Sequence, residues 1–151
     1  MSTIEDIKYL RTLTGISIGE CKKALEEAGG DVAKAKEILK QWGKEVAEKK
    51  QGREVGAGLI ASYIHGGGSI GTLVEVRCET DFVARSEDFQ RLCKEIAMQV
   101  ASMNPASVDD LLLQPSIKNA PQSVRGLIEE AIGKLGENIR VVQFSRFAIS
   151  S

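Results

Sequence analysis

Two periodicities meet in the middle of the chain. Thr72, Val74, Val76 and Cys78 alternate with Leu73, Glu75 and Arg77, the period of two that a half-buried strand requires. From Phe89 onward the step changes. Phe89, Leu92, Cys93, Ile96, Ala97, Val100 and Met103 recur every three or four residues, which sets them on one face of a helix. Ser86, followed by Glu87 and Asp88, supplies an N-cap and acidic residues for a first turn, so the helix begins near Ser86. Between the two patterns, Thr80 to Arg85 reads as a short connector with a carboxylate and an aromatic ring side by side. Phe82 belongs to neither apolar face. Two readings of Asp81 and Phe82 stay open on the pattern alone: a capped turn with the ring tucked onto the sheet, or a presented contact site.

The same patterning divides the rest of the chain. Thr3 with Asp6 and Ser17 with Glu20 have capping-box spacing, and each opens an apolar run at helical intervals. Ile4, Ile7, Leu10 and Leu13 give the first helix its face. Cys21, Ala24, Leu25 and Ala28 give the second, which stops at Gly29-Gly30. Asp31 caps a third, carrying Val32, Ala35, Ile38, Leu39 and Trp42, and Gly43 closes it. Residues 1–43 therefore read as a three-helix module, residues 44–54 as a charged, solvated linker that is at most partly helical, and residues 55–151 as a second domain.

In that domain Leu59–Ile64 and Thr72–Val76 predict a hairpin across His65-Gly66-Gly67-Gly68-Ser69. The glycines do not read as a phosphate loop, because no Gly-Lys-Ser/Thr ending follows and they lead into a strand instead of a helix N-terminus. Asn104-Pro105 ends the long helix, Val108–Leu113 predicts a short helical turn, and Ser123 through Leu135 predicts another helix with Gly136 past its end. A last strand runs from Ile139 to Ile149. The fold class is α+β: a three-helix module, then a three-stranded antiparallel sheet with helices on one face.

Composition narrows the function. With 20 basic and 21 acidic residues in 151, the chain lacks the electrostatic footprint of a nucleic-acid binder, so no direct nucleic-acid partner is expected. No stretch reaches membrane-spanning length, and the start Met1-Ser2-Thr3-Ile4-Glu5-Asp6 has neither a basic nor an apolar leader region, which predicts no membrane partner and a cytoplasmic location. Cys21, Cys78 and Cys93 are odd in number, far apart and set within apolar patterns, as reduced core thiols are. One histidine, no nucleophile–base constellation, no zinc-ligand spacing and no nucleotide-binding glycine motif leave no catalytic, metal or cofactor site to predict. His65, at a strand end, reads as a structural or solvated residue or as a partner contact. Lys22-Lys23 reads as a solvated helix face.

Glu75-Val76-Arg77-Cys78-Glu79-Thr80-Asp81-Phe82-Val83-Ala84-Arg85 closely resembles the second signature of the elongation factor Ts family, the nucleotide-exchange factors of elongation factor Tu. The first signature is present as Leu10-Arg11-Thr12-Leu13-Thr14-Gly15, followed by Glu20-Cys21-Lys22-Lys23-Ala24-Leu25. Two departures stand out. Ile16-Ser17-Ile18-Gly19 replaces a frequent Ala-Gly-Met-Met, and Arg77 stands where Asn or Val is usual. The resemblance implies an exchange factor that is not an enzyme and needs no cofactor, binds elongation factor Tu in GDP-bound and nucleotide-free states, and has a ubiquitin-associated-like amino-terminal module. It implies partner contacts at Thr80, Asp81, Phe82 and Val83, with a second hold through Arg11, Thr14, Gly15, Ile16 and Ile18, and His65 as a further candidate. The alternative is a polypeptide-binding adaptor built on the three-helix module; a small hydrolase or transferase with an unrecognised site is a third reading.

Longer members of the family carry two related core subdomains, whereas this chain shows one hairpin-helix-helix-strand unit. Both parities of Leu59–Ile64 and Val141–Ile149 hold large apolar residues, so a sheet face is left to cover. A homodimer packed sheet on sheet is the expectation, with Val142 or Phe144 at the interface; the competing reading folds Leu111-Leu112-Leu113 over that face.

Overall fold

The structure is a computed structural model that describes residues 3–150; Met1, Ser2 and Ser151, at the ends of the predicted module and domain, lie outside the described residues. Helix α1 (Ile4–Thr14) opens on a complete capping box, with Thr3 Oγ1 accepting from Asp6 N at 3.0 Å and Asp6 Oδ2 accepting from Thr3 N at 3.4 Å. It closes at Gly15, whose φ of 70° is the left-handed conformation that glycine adopts without penalty. Helix α2 (Ile18–Glu27) is capped by Ser17 and α3 (Val32–Lys50) by Asp31. Leu10, Cys21, Ala24, Leu25, Ala35 and Leu39 form the module's own core, with Ile7, Ile16 and Trp42 packed around it.

Two expectations fail in this module. Ile4 and Leu13 are exposed, because α2 and α3 cover only a narrow strip of α1, at whose centre Leu10 is buried. Helix α3 does not close at Gly43 but continues to Lys50, so the first part of the predicted linker is helix. A glycine inside a helix costs about 1 kcal/mol relative to alanine, which packing readily offsets. Here Val46 and Ala47 pack on the second core, and Gly43 sits against the backbone of α7 (Val124–Leu135).

In the second domain β1 (Ala57–His65), β2 (Ile70–Cys78) and β3 (Arg140–Ala148) form an antiparallel sheet in the order β1-β2-β3. Its covered face is set by Val74, Val76 and Cys78 against the helix α5 (Glu87–Met103). Phe89, Leu92, Cys93, Ile96, Ala97 and Val100 are buried there as the period requires, while Met103, at the helix end, is exposed. The Thr72 hydroxyl donates to the Ala97 carbonyl at 2.9 Å and locks strand to helix. Helix α6 (Val108–Leu113) and α7 complete this helical layer. Leu111 is fully buried in the covered core, so α6 does not fold back over the other face.

The other face is uncovered. Ile60, Ile64, Leu73 and Phe147 are exposed on it, Phe147 by 75%. Glu75 lies among them, accepting from Arg77 Nε at 2.6 Å and Gln143 Nε2 at 2.8 Å. The Gln143 amide, and after it Arg77, holds the Glu75 carboxyl below its ordinary value, which gives Arg77 a place in the structure. Phe144 is not on this face. A bulge between Glu75 and Val76 takes up Val142, so Val141 pairs with Val76, Phe144 pairs with Val74, and both side chains turn inward.

The module and the sheet domain meet where α3 crosses α7. A Cβ on Gly133 would lie 2.7 Å from Gly43 Cα, whereas one on Gly43 would meet Glu129 O at an ordinary 3.5 Å. The two substitutions therefore have opposite signs. Gly43→Ala is expected to raise stability by about 0.5–1 kcal/mol through helix propensity. Gly133→Ala is expected to lower it by about 1–3 kcal/mol, because a backbone must move. Urea unfolding of the two variants checks the pair.

Candidate functional site: the capped turn at Asp81 and Phe82

The predicted connector is a helical turn. Residues Asp81–Ala84 form α4, with Thr80 as N-cap: its Oγ1 accepts from Val83 N at 3.3 Å. Val83 and Ala84 are buried in the sheet-domain core, and this one-sided anchoring throws Asp81 and Phe82 outward. Phe82 is 83% exposed, so the tucked-ring reading fails. A second cap follows at once. Ser86 Oγ donates to Val83 O at 2.7 Å and accepts from Phe89 N at 3.3 Å, ending one turn and starting α5.

Behind α4 lies a reciprocal clamp between segments far apart in sequence. Glu137 Oε1 accepts from the backbone N–H groups of Glu79 (3.1 Å) and Thr80 (3.0 Å), and its Oε2 accepts from Thr80 Oγ1 at 2.7 Å. In return Glu79 Oε2 accepts from Asn138 N at 2.6 Å. Asn138 Nδ2 donates to the carbonyls of Arg53 (2.9 Å) and Gln51 (3.4 Å), which ties the end of α3 to the same knot. Cys78 Sγ donates to Thr80 O at 3.3 Å; burial first, and then the Glu137 charge, push its thiol up. Burial pushes the Cys93 thiol up to about 12, and all three cysteines are free and buried.

The other predicted residues fall in two places. Arg11, Thr14, Gly15, Ile16 and Ile18 make the corner between α1 and α2. Thr14 Oγ1 donates to Leu10 O at 2.8 Å and accepts from Ile16 N at 3.2 Å; Arg11 and Ile18 are exposed, while Ile16 packs partly inward. The backbone of Gly15 rests against the Lys134 side chain, whose Nζ reaches Asp88 Oδ1 at 3.0 Å in the first turn of α5. The corner is thus brought to the end of α5 that α4 precedes. His65 is not. It ends β1, Ala57 at the opposite end of that strand pairs with Cys78, and the intervening strand spans about 26 Å. The His65 ring meets Tyr63 Oη at 2.9 Å through Nδ1. Among the described residues no cluster of His, Cys, Asp and Glu is placed to hold a metal ion, and no helix is long and apolar enough to cross a membrane.

Comparison with known proteins bears on this geometry directly. The family described as Elongation factor TS matches residues 79–151, a span that holds both α4 and Glu137. Elongation factor Ts of Coprothermobacter proteolyticus is 41% identical, with 95% of each chain covered. The chain belongs to the elongation factor Ts family. The relatives from Carboxydothermus hydrogenoformans (39%; 99% of this chain, 89% of the relative) and Leptospira biflexa (38%; 96% of each) agree. These alignments run over 188 to 194 positions, more than the 151 residues here, so each relative carries internal residues without a counterpart in this chain. Family membership makes this a translation elongation factor whose partner is elongation factor Tu, acting in nucleotide exchange.

Patterning missed Glu79, Lys134, Glu137 and Asn138. The only local signal was Gly136-Glu137-Asn138 just past a helix end, and nothing in it names a partner 57 residues away. Exposure of the ring makes a clean contrast in stability. Phe82→Ala is expected to change the unfolding free energy by no more than about 0.5 kcal/mol, and Phe89→Ala to cost about 3–5 kcal/mol. Chemical denaturation of each variant measures both.

Proposed function

We propose that this chain speeds GDP release from elongation factor Tu by inserting α4 beside the magnesium and phosphate site, with Asp81 disturbing the ion's surroundings and the Phe82 ring wedging between structural elements. The observation that carries the reading is a large apolar ring held 83% exposed on a turn capped at both ends, within the segment that matches the family. A bare ring that costs water contact and adds nothing to the core is what a partner-binding anchor requires. GDP is held by donors and a magnesium ion around its phosphates, so displacing those groups weakens binding without breaking a covalent bond, and the chain needs no catalytic chemistry of its own. Linkage makes the effect reciprocal. The factor lowers GDP affinity by the ratio by which GDP lowers the factor's affinity, so it binds both the GDP-bound and the nucleotide-free states, and incoming GTP ejects it.

Residues 1–43 act as a second hold on the same partner through Arg11, Thr14, Gly15, Ile16 and Ile18, with 44–54 joining this module to the 55–151 domain. Thr80 and Val83 flank the inserted pair. His65, at the far end of the hairpin, meets the partner apart from both of these regions. The open sheet face is the surface on which two copies pair: Ile60, Ile64, Leu73 and Phe147 give it an apolar row, and Glu75, Arg77 and Gln143 give it polar register.

Stopped-flow release of fluorescent GDP from elongation factor Tu tests the main reading. Phe82→Ala and Asp81→Ala are expected to slow release at least about tenfold. Wild-type rates in both would remove α4 from exchange. In the same assay Arg11→Ala combined with Ile18→Ala, at the exposed α1–α2 corner, should need a higher concentration for half-maximal effect, and equal potency would deny the module its role. Sedimentation equilibrium at micromolar concentration should give twice the 16.3 kDa monomer mass, and Phe147→Glu should return it to the monomer. A monomer throughout would end the dimer proposal.

A further inference from the structure

We infer that Glu137 is a positioning residue for exchange, acting through Thr80 to hold α4 in the one orientation that presents Phe82. This rests on the insertion of α4 proposed above. A helix of 4 residues cannot sustain itself, since nucleation costs more than a single turn returns. Its geometry must come from outside, and the only long-range side chain bonded to its cap is Glu137 among the described residues. The chemistry of that bond is directional. Thr80 Oγ1 has one proton and must leave a lone pair facing Val83 N to cap the turn. Glu137 Oε2, an acceptor only, takes that proton at 2.7 Å and so turns the lone pair inward. Meanwhile Oε1 gathers the N–H groups of Glu79 and Thr80, which stops the segment leading into the turn from swinging.

Glu137 is suited to this because it is itself held. Gly136, in the left-handed conformation at a φ of 76°, ends α7 and turns the chain toward β3, and the Glu79 carboxylate fixes the next backbone N–H at Asn138. The clamp closes on both sides. Phe82 has no bond to any of these groups, so loss of the clamp is felt at the ring only through the orientation of α4.

The test is a cycle of variants in the complete chain, read by GDP release from elongation factor Tu at saturating factor. With its clamp cut, α4 holds the presenting orientation for only part of the time, and the limiting rate falls in proportion to that fraction. Glu137→Ala is expected to lower the limiting rate about tenfold while the half-saturating concentration changes less, because the amino-terminal hold is untouched. Glu137→Gln keeps an oxygen for the two backbone N–H groups but turns an NH2 donor toward Thr80 Oγ1, so its rate should fall between those of Glu137→Ala and the wild type. The decisive readout is Glu137→Ala placed in the Asp81→Ala/Phe82→Ala variant, which lacks both contact side chains of α4. If Glu137 acts through α4, the triple variant is no slower than that double variant; a further loss in it overturns the inference. Should Glu137→Ala not fold, Glu137→Asp, which retracts the carboxylate by one methylene, is read by the same criteria. An impaired Phe82→Ala beside a wild-type Glu137→Ala removes the clamp and leaves the exchange mechanism standing. A wild-type rate in Phe82→Ala removes that mechanism itself, whatever Glu137 does, and the inference falls with it.

Discussion

A single helical turn has no stability of its own, and the site proposed for this protein is a single helical turn. Everything around α4 answers that constraint. Its cap is Thr80, its exit is the cap of the next helix at Ser86, its underside is Val83 and Ala84 in the core, and its entry is gripped by Glu137 from the far end of the domain. Binding energy is lost whenever a contact residue has to be ordered on arrival. Holding a bare phenylalanine on a turn fixed at both ends removes much of that loss before the partner appears.

The last turn of α7 and the residues after it link the two proposed contact regions. Lys134 lies against Gly15 at the α1–α2 corner and bonds to Asp88 at the start of α5. Three residues later Glu137 holds the entry to α4. Farther back on the same helix, Gly133 lets α3 approach to backbone contact, and Asn138 catches the end of α3 through the carbonyls of Gln51 and Arg53. Since α3 belongs to the module in its first half and packs on the sheet domain in its second, the module's angle to α4 is set by close packing and hydrogen bonds instead of by a loose tether. A partner gripped at two points benefits from such stiffness, because the second contact is then already in place when the first is made.

The open sheet face has a different character. Its apolar residues stand in cross-strand register, with Ile64 opposite Gly71 and Gly71 opposite Phe147, and a buttoned group of Glu75, Arg77 and Gln143 lies farther along. A sheet that buried its polar residues in this arrangement would leave their hydrogen bonds intact, which lowers the cost of covering it. The bulge at Glu75 and Val76 decides which side chains are available there, since it sends Phe144 inward and leaves Phe147 outward.

What the sequence determined by itself was everything that repeats at short range. The caps at Thr3, Ser17, Asp31 and Ser86, the stop at Gly136, the alternation of β2 and the face of α5 all lie within a few residues of their causes. The resemblance around Glu75–Arg85 carried the family, and the failure of Phe82 to fit either period correctly marked a side chain outside the core. Tertiary structure alone decided the rest. Helix α3 runs through Gly43 because α7 supplies contact that propensity does not encode, and Ile4 and Leu13 are bare because α1 has neighbours on one strip only. Phe144 faces inward because of a bulge whose register is a property of two strands. Glu137 finds Thr80 across 57 residues of chain, and no period joins them. Periodicity records which face of an element is covered; it holds no record of what covers it, and the clamp on α4 depends on that.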